Sequence, residues 1–508
     1  MTRRRRTVIF GILFGYSSIL IGVARNVLFV PIYLQSIPLP EYGAWLATGG
    51  ALALMLVSDF GLAGVVTQKI SAALGGGDLS KLGSLAGSAL VIGLVMAIGL
   101  TAFSFAFVPF LPGLNSLGEL QQRAVVQCFV IAVVANAAGL VGATGVSVIR
   151  SLQNPIAAGC IVLVGDLANV GVTLIGLFRG AGLYAIAGGL GVRAAVLALA
   201  APLTVAIICS HELGIRIRLR WSSVRELLGD SSRFFLSAIA MRIQAQANVF
   251  FVNAILGPTS AATYSLTVRA HETVLMLTGQ INTALVPSVT HLFGSGNAAR
   301  FRTVLMRLLL SLAGFTALAL SLTVVLNASF LKLWVGGVAF AGQKVSILMG
   351  FALFVSSVGY VAYDALVAQG KFKFVANAFL ATSLLQVVLL VAFLHSGLWI
   401  APTATLAAGA VWGLVFWRKV AIGIGATASE SLGLLTEIGR ITVVSVVTIA
   451  GFLRFYPPAA TWPALIAEGM LCIGVLAAGY LFISFQIRTI VREELSVTLR
   501  ALRPVRGT

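Results

Sequence analysis

Charge is scarce in this chain of 508 residues: Asp, Glu, Lys and Arg make up only 10% of it, and just 15 residues are acidic. Soluble domains average about 25% charged residues, so an ordinary water-soluble fold is excluded. Cysteine is scarcer still, at positions 128, 160, 209 and 472. These four show neither paired nor metal-ligand spacing, which leaves no disulfide framework and no zinc motif and predicts packing roles. There is no GxxxxGK[ST] loop, and no polar region is long enough to house one, so ATP hydrolysis within this chain is excluded. The outer connections are also short, about Leu111 to Leu120 and Ser329 to Gly342 at the longest.

What is present is apolar: 59% of residues are hydrophobic and the mean hydropathy is +1.02. A bilayer-spanning helix needs about 20 mainly apolar residues, and fourteen stretches meet that need. They run over 8–34, 42–66, 82–110, 121–149, 155–178, 181–209, 233–256, 259–286, 302–328, 343–367, 372–395, 399–417, 441–455 and 462–486. The sequence therefore predicts an all-α polytopic membrane protein of about 14 transmembrane helices. The arginine run at Arg3–Arg6 ahead of the first stretch resembles a secretory signal. The apolar segment is too long for that and lacks a small-residue cleavage site, so it reads as an uncleaved helix.

Lys and Arg are retained on the cytoplasmic side of short loops. With these spans, 24 of the 34 basic residues fall on one side, five on the other and five within spans, which predicts cytoplasmic termini. The net charge of +19 is spread over loop ends without a compact basic domain, so topology and anionic lipid headgroups account for it better than nucleic acid does.

The chain also repeats its punctuation. Gly75, Gly76, Gly77, Asp78 and Lys81 are matched by Gly294, Ser295, Gly296, Asn297 and Arg300, and Pro40 is matched by Pro258. This predicts two parallel six-helix lobes, 1–209 and 233–417, joined by a cytoplasmic linker, 210–232. Two further transmembrane helices (418–486) and a basic cytoplasmic tail (487–508) follow. In the linker, Ile215, Ile217 and Leu219 alternate with Arg216, Arg218 and Arg220. Trp221 to Leu228 then reads as a short interfacial helix.

Ionisable groups inside spans are costly and usually face a cavity or a partner. The first span carries Arg25 and Asn26, the second Asp59, the seventh Arg242, Gln244, Gln246, Asn248 and Asn253, and the eighth Arg269, His271 and Glu272. Arg242, Gln246 and Asn253 share one helix face. Arginine offers phosphate oxygens a planar fork of donors, which makes Arg25, Arg242 and Arg269 candidates for a pyrophosphate. Arg269 has an alternative partner in Glu272 at i+3. Asp59 and Glu272 are candidates for H+ or Na+ coupling, or for simple neutralisation of a neighbouring arginine. Asp166 and Arg193 sit at bridgeable depths on consecutive helices and are expected to pair. Asp364, Arg307 and Glu468 lie close to span ends, where a charge is cheap, and His291 and His395 at helix ends need no function.

The segment Pro40, Glu41, Tyr42, Gly43 to Trp45, with Asp59, Phe60, Gly61, Leu62 and the following glycine loop, resembles the start of Wzx-like polysaccharide flippases. These belong to the multidrug/oligosaccharidyl-lipid/polysaccharide (MOP) exporter superfamily. Ala368, Gln369, Gly370, Lys371 and Leu285, Val286, Pro287 add shorter matches. The resemblance implies two lobes around a cavity lined by helices one, two, seven and eight, working by alternating access. It also implies an undecaprenyl-pyrophosphate-linked O-antigen, capsule or exopolysaccharide unit as cargo in a bacterial inner membrane, with a polysaccharide polymerase and assembly proteins as partners. It implies no cofactor and no catalytic residue. The lipid II branch ranks second, because the densely Arg-rich, DAF-containing start associated with it is missing. Cationic drug antiport ranks third, since the span arginines would repel such cargo. A membrane glycan polymerase or ligase, or a non-transporting scaffold, is the alternative outside transport, and the short outer loops oppose an enzyme.

Overall fold

The computed structural model describes residues 17, 21–22, 24, 28–55, 62–108, 117–294, 298–336, 339–369, 371–484 and 488–489. Among them the regular secondary structure is entirely helical. In order come α1 (28–36), α2 (Leu39–Met55), α3 (Leu62–Gly75), α4 (Leu79–Phe107), α5 (Glu119–Ser151), α6 (Pro155–Phe178) and α7 (Leu183–Ile207). Then follow α8 (Trp221–Leu256), α9 (Pro258–Gly294), α10 (Ala298–Val335), α11 (Gln343–Ala368), α12 (Phe372–Phe393), α13 (Ile400–Gly423), α14 (Ala428–Phe455) and α15 (Trp462–Ile483). Ten of these helices, α4 to α7 and α10 to α15, are long and apolar enough to cross a membrane. That is fewer than the fourteen spans expected. The first two expected spans fall partly outside the described residues. α8 and α9, with 36 and 37 residues, have ample length but are the least apolar of the long helices, because their polar residues are concentrated there.

The helix boundaries follow local chemistry. Gly77, at φ 72°, ends α3 in the left-handed region that glycine enters freely. Asp78 then caps α4, its Oδ1 accepting from the Lys81 amide at 2.9 Å. The matching second loop, 295–297, lies outside the described residues. Asn154 followed by Pro155 starts α6, and Thr427 with Glu430 forms a reciprocal capping box at α14.

The chain divides into two compact units, Met1–Ala262 and Thr263–Thr508. In the first, α5 packs on α4 and α7, α6 on α7, and α2 on α8. Small residues bring these helices together: a Cβ on Gly142 would lie 2.5 Å from Leu197 Cβ, and one on Gly189 would lie 2.1 Å from Thr173 Oγ1. Asp166 and Arg193 pair as expected, Nε to Oδ1 at 2.6 Å, directly beside this contact. In the second unit α10 packs on α11, α14 and α15, and α13 packs on α11 and α12. Trp412, Phe379 and Phe416 form its aromatic centre, with ring centroids 5.0–5.3 Å apart.

Two sequence expectations change here. The interfacial helix expected at Trp221–Leu228 is not separate, because it is the first two turns of α8. Cys128, Cys209 and Cys472 are buried in packing, as expected, but Cys160 is exposed.

Candidate functional site

The polar positions singled out on α8 belong to the first unit. Arg242 is exposed, Gln246 is half-buried, and Asn248 and Asn253 are buried. The helix face shared by Arg242, Gln246 and Asn253 therefore runs from open to enclosed along its length rather than being wet throughout. Arg25, Asn26 and Asp59 lie outside the described residues.

On α9, in the second unit, two faces separate. Thr267, His271 and Thr278 point inward and are buried. Arg269, half-buried, Glu272 and Met276 occupy the opposite face, with the last two exposed. The inward face is fastened by polar contacts. Thr267 Oγ1 accepts from the Ala341 amide at 2.8 Å, and Asn327 Nδ2 donates to the Thr267 carbonyl at 2.9 Å and to Ser346 Oγ at 3.1 Å. Ser346 Oγ lies 3.3 Å from His271 Nε2. These bonds tie α9 to α10, α11 and the loop between them, and so fix the orientation of the face that carries Arg269 and Glu272. The sequence reading missed Asn327 and Ser346. An asparagine in an otherwise apolar run was the available signal.

Arg269 has its Nε buried without a hydrogen-bond partner among the described residues. Arg242, Arg269 and Glu272 take part in no ion pair within 4.0 Å among those residues, although Arg269 and Glu272, one turn apart on α9, still attract each other electrostatically. An unmet buried donor costs about 1–3 kcal/mol. The fold does not recover that cost at Arg269, whereas Arg193 is satisfied by Asp166. A guanidinium left this way is suited to an anion that arrives from outside the fold.

A groove of about 350 Å³ lies elsewhere in the second unit, between α10, α11 and α14, lined by Leu320, Val324, Phe351, Phe354 and Ile449 with Ser321 and Ser445 among them. Its character is apolar, and neither Arg242 nor Arg269 lines it.

No protein-family model and no curated protein sequence matches this chain. Solved structures do. The fold is that of the MOP-superfamily transporters, an all-α polytopic membrane architecture. The lipid II flippase MurJ in an inward closed conformation is similar at 15% identity over 93% of this chain and 99% of that chain, with a TM-score of 0.65. An inward-facing multidrug resistance MATE family transporter is similar at 12% identity over 80% and 95%, with a TM-score of 0.64. A MOP superfamily transporter from Pyrococcus furiosus is similar at 15% identity over 84% and 95%, with a TM-score of 0.59. At these identities the likeness is one of fold.

Proposed function

We propose that this chain is an exporter of a polyprenyl-pyrophosphate-linked glycan in the bacterial inner membrane, moving its cargo by alternating access and without catalysis. The observation that carries the reading is Arg269, a guanidinium with a buried, unmatched Nε and no ion pair among the described residues. A diphosphate supplies the oxygens such a group requires, and a cationic drug would be repelled by it. Arg242, exposed on the first unit and likewise outside any described ion pair, is a separate candidate contact for an anionic cargo.

Two cargoes fit this chemistry. A lipid II-type precursor is favoured by the likeness to the lipid II flippase, which extends over 93% of this chain, compared with 80% for the inward-facing MATE transporter. An O-antigen, capsule or exopolysaccharide unit is favoured by the Wzx-like segments around Pro40–Trp45 and Ala368–Lys371. The sugars would meet the amide groups of α8. Glu272, exposed and outside any described ion pair, is the coupling candidate for H+ or Na+.

The test is translocation in proteoliposomes of fluorescent lipid II and of a fluorescent undecaprenyl-pyrophosphate oligosaccharide, in parallel. Wild type should move one of them, and Arg269→Ala should slow it by about tenfold or more, the worth of one charged hydrogen bond lost. Movement of neither cargo, or an unaffected Arg269→Ala variant, would refute the reading.

A further inference from the structure

The segment between α7 and α8 is a strap held rigidly against α4. Its residues 215–220 form neither helix nor turn, Arg220 is extended, and Arg218 N donates to the Gly83 carbonyl at 3.3 Å. Ser88 Oγ donates to the Arg220 carbonyl at 3.2 Å and lies 3.3 Å from the Arg220 amide. Only glycine permits this approach: a Cβ at Gly83 or Gly87 would lie 2.6 Å from the carbonyl oxygen of Arg216 or Arg218. Extended backbone alternates its side chains. Ile215 and Ile217 turn toward the core of the first unit, and Arg216, Arg218 and Arg220 turn out. The exposed side continues onto the first turns of α8 with Arg225. Between these arginines stand Leu219 and Trp221, 60% and 76% exposed.

Among the described residues these arginines meet no counter-charge in an ion pair. Glu226, the only carboxylate within 215–228, is taken by Lys69 at 2.9 Å and Lys81 at 3.5 Å. Arg216, Arg218, Arg220 and Arg225 join no ion pair among the described residues. Successive outward arginines sit roughly 6.6 Å apart on backbone that cannot relax. Like charges fixed at that spacing, interleaved with a bare tryptophan and a bare leucine, match a layer that is anionic at the surface and apolar just beneath. The height is also right. α4 has 29 residues, about 44 Å of helix against a hydrocarbon core of about 30 Å. The strap crosses α4 in its second and third turns, within about 14 Å of the start of the helix, the length by which α4 exceeds the hydrocarbon core.

We propose that the outer edge of this strap, from Arg216 to Arg225 with Leu219 and Trp221, is a docking surface for anionic phospholipid headgroups. The phosphates pair with the guanidinium forks, while Trp221 and Leu219 sit below them at the acyl boundary. The site is independent of the cargo and would stand whatever the chain transports.

The experiment uses the full chain in mixed micelles and follows quenching of tryptophan emission by brominated phosphatidylglycerol or brominated phosphatidylcholine. The Trp221 component is the difference between wild type and Trp221→Phe. We expect half-quenching at a tenfold or more lower concentration of the anionic lipid, in line with a factor of about five per basic residue near a charged surface. The preference should vanish in the Arg216→Gln, Arg218→Gln, Arg220→Gln, Arg225→Gln variant and persist when the same four positions carry Lys. All four side chains are exposed, so the thermal transition of both variants should match wild type, and an unfolded Gln variant is replaced by the single Arg218→Gln and Arg220→Gln changes. Equal quenching by the two lipids in wild type, or an undiminished preference in the Gln variants, would overturn the proposal. Displacement of the lipid by millimolar inorganic phosphate would overturn it too, by reassigning the site to a soluble anion.

Discussion

Two arginines with opposite circumstances show what a single residue contributes here. Arg193 is answered by Asp166 at 2.6 Å within the packed helices of the first unit, and removing one member of such a pair leaves the other stranded. Because the Arg193 side chain is 35% exposed, Asp166→Ala should cost about 2–3 kcal/mol, below the roughly 3–5 kcal/mol of a fully buried pair. The double change Asp166→Ala, Arg193→Met should recover part of it, as read from thermal unfolding in detergent. Arg269 has a buried Nε with no hydrogen bond, so Arg269→Ala should leave the unfolding temperature unchanged or raise it while transport falls. A drop in stability would assign it a structural role. One carboxylate outside the spans carries a pH dependence. Hydrogen bonding from Lys69 holds Glu226 below the ordinary carboxylate range. A depressed carboxylate stabilises fully above its unfolded value, about 4.3, and that contribution fades as pH falls through the lower folded value. Limited proteolysis between α7 and α8 should therefore accelerate below about pH 4, and Glu226→Gln should show the fast rate already at pH 7.

At the scale of helices, close approach is bought by missing side chains. Gly189 lets α7 settle on the polar ladder of Asn169 and Thr173 in α6, and the added methyl of Gly189→Ala would collide with both. Overpacking of this kind costs about 1–3 kcal/mol, and the variant should melt earlier than wild type. Gly87→Ala should do less to global stability but lift the strap off α4, which faster amide exchange over 215–220 would report. The strap also explains why Trp221–Leu228 did not form a separate interfacial helix. With the chain pinned at Arg220, nothing breaks the helical run into α8, and Val224 and Leu227 bury against the first unit. α8 and α9 are helices with polar faces that length alone sustains. Their backbone bonds are internal, so polar side chains do not prevent them from forming.

For the molecule as a whole, α14 and α15 are secured to each other and to α10 by contacts that composition could not announce. Ser445 Oγ meets Tyr480 Oη at 2.6 Å, Ser484 donates to Glu437 at 2.5 Å, and the Ala459 amide donates to Ser329 Oγ at 3.0 Å. Consecutive spanning helices must place their connections on alternate sides of the bilayer. In a cysteine-free background, single cysteines at Ser80 and Ser431 should react with an impermeant maleimide only from the cytoplasmic side, and those at Ser396 and Thr461 only from outside. Any pair labelled from the opposite side would reverse the assignment of the termini that rests on the 24 basic residues.

Composition and hydropathy by themselves determined the class of this protein, because backbone groups in a bilayer must be satisfied within each segment and apolar length then dictates helices. The caps at Asp78, Asn154, Thr427 and Thr461 were written locally too, since a cap reaches only three residues along the chain. The Asp166–Arg193 pair was legible because consecutive antiparallel helices leave little choice of neighbour. Tertiary structure decided the rest. What the face carrying Arg269 and Glu272 looks onto depends on how α9 is rotated, and that rotation is set by Thr267, Asn327 and Ser346, which lie far apart in sequence. The strap could not be read from its own residues either, because its rigidity comes from a stripe of glycines and serines on α4 more than a hundred residues earlier, and only packing brings the two together.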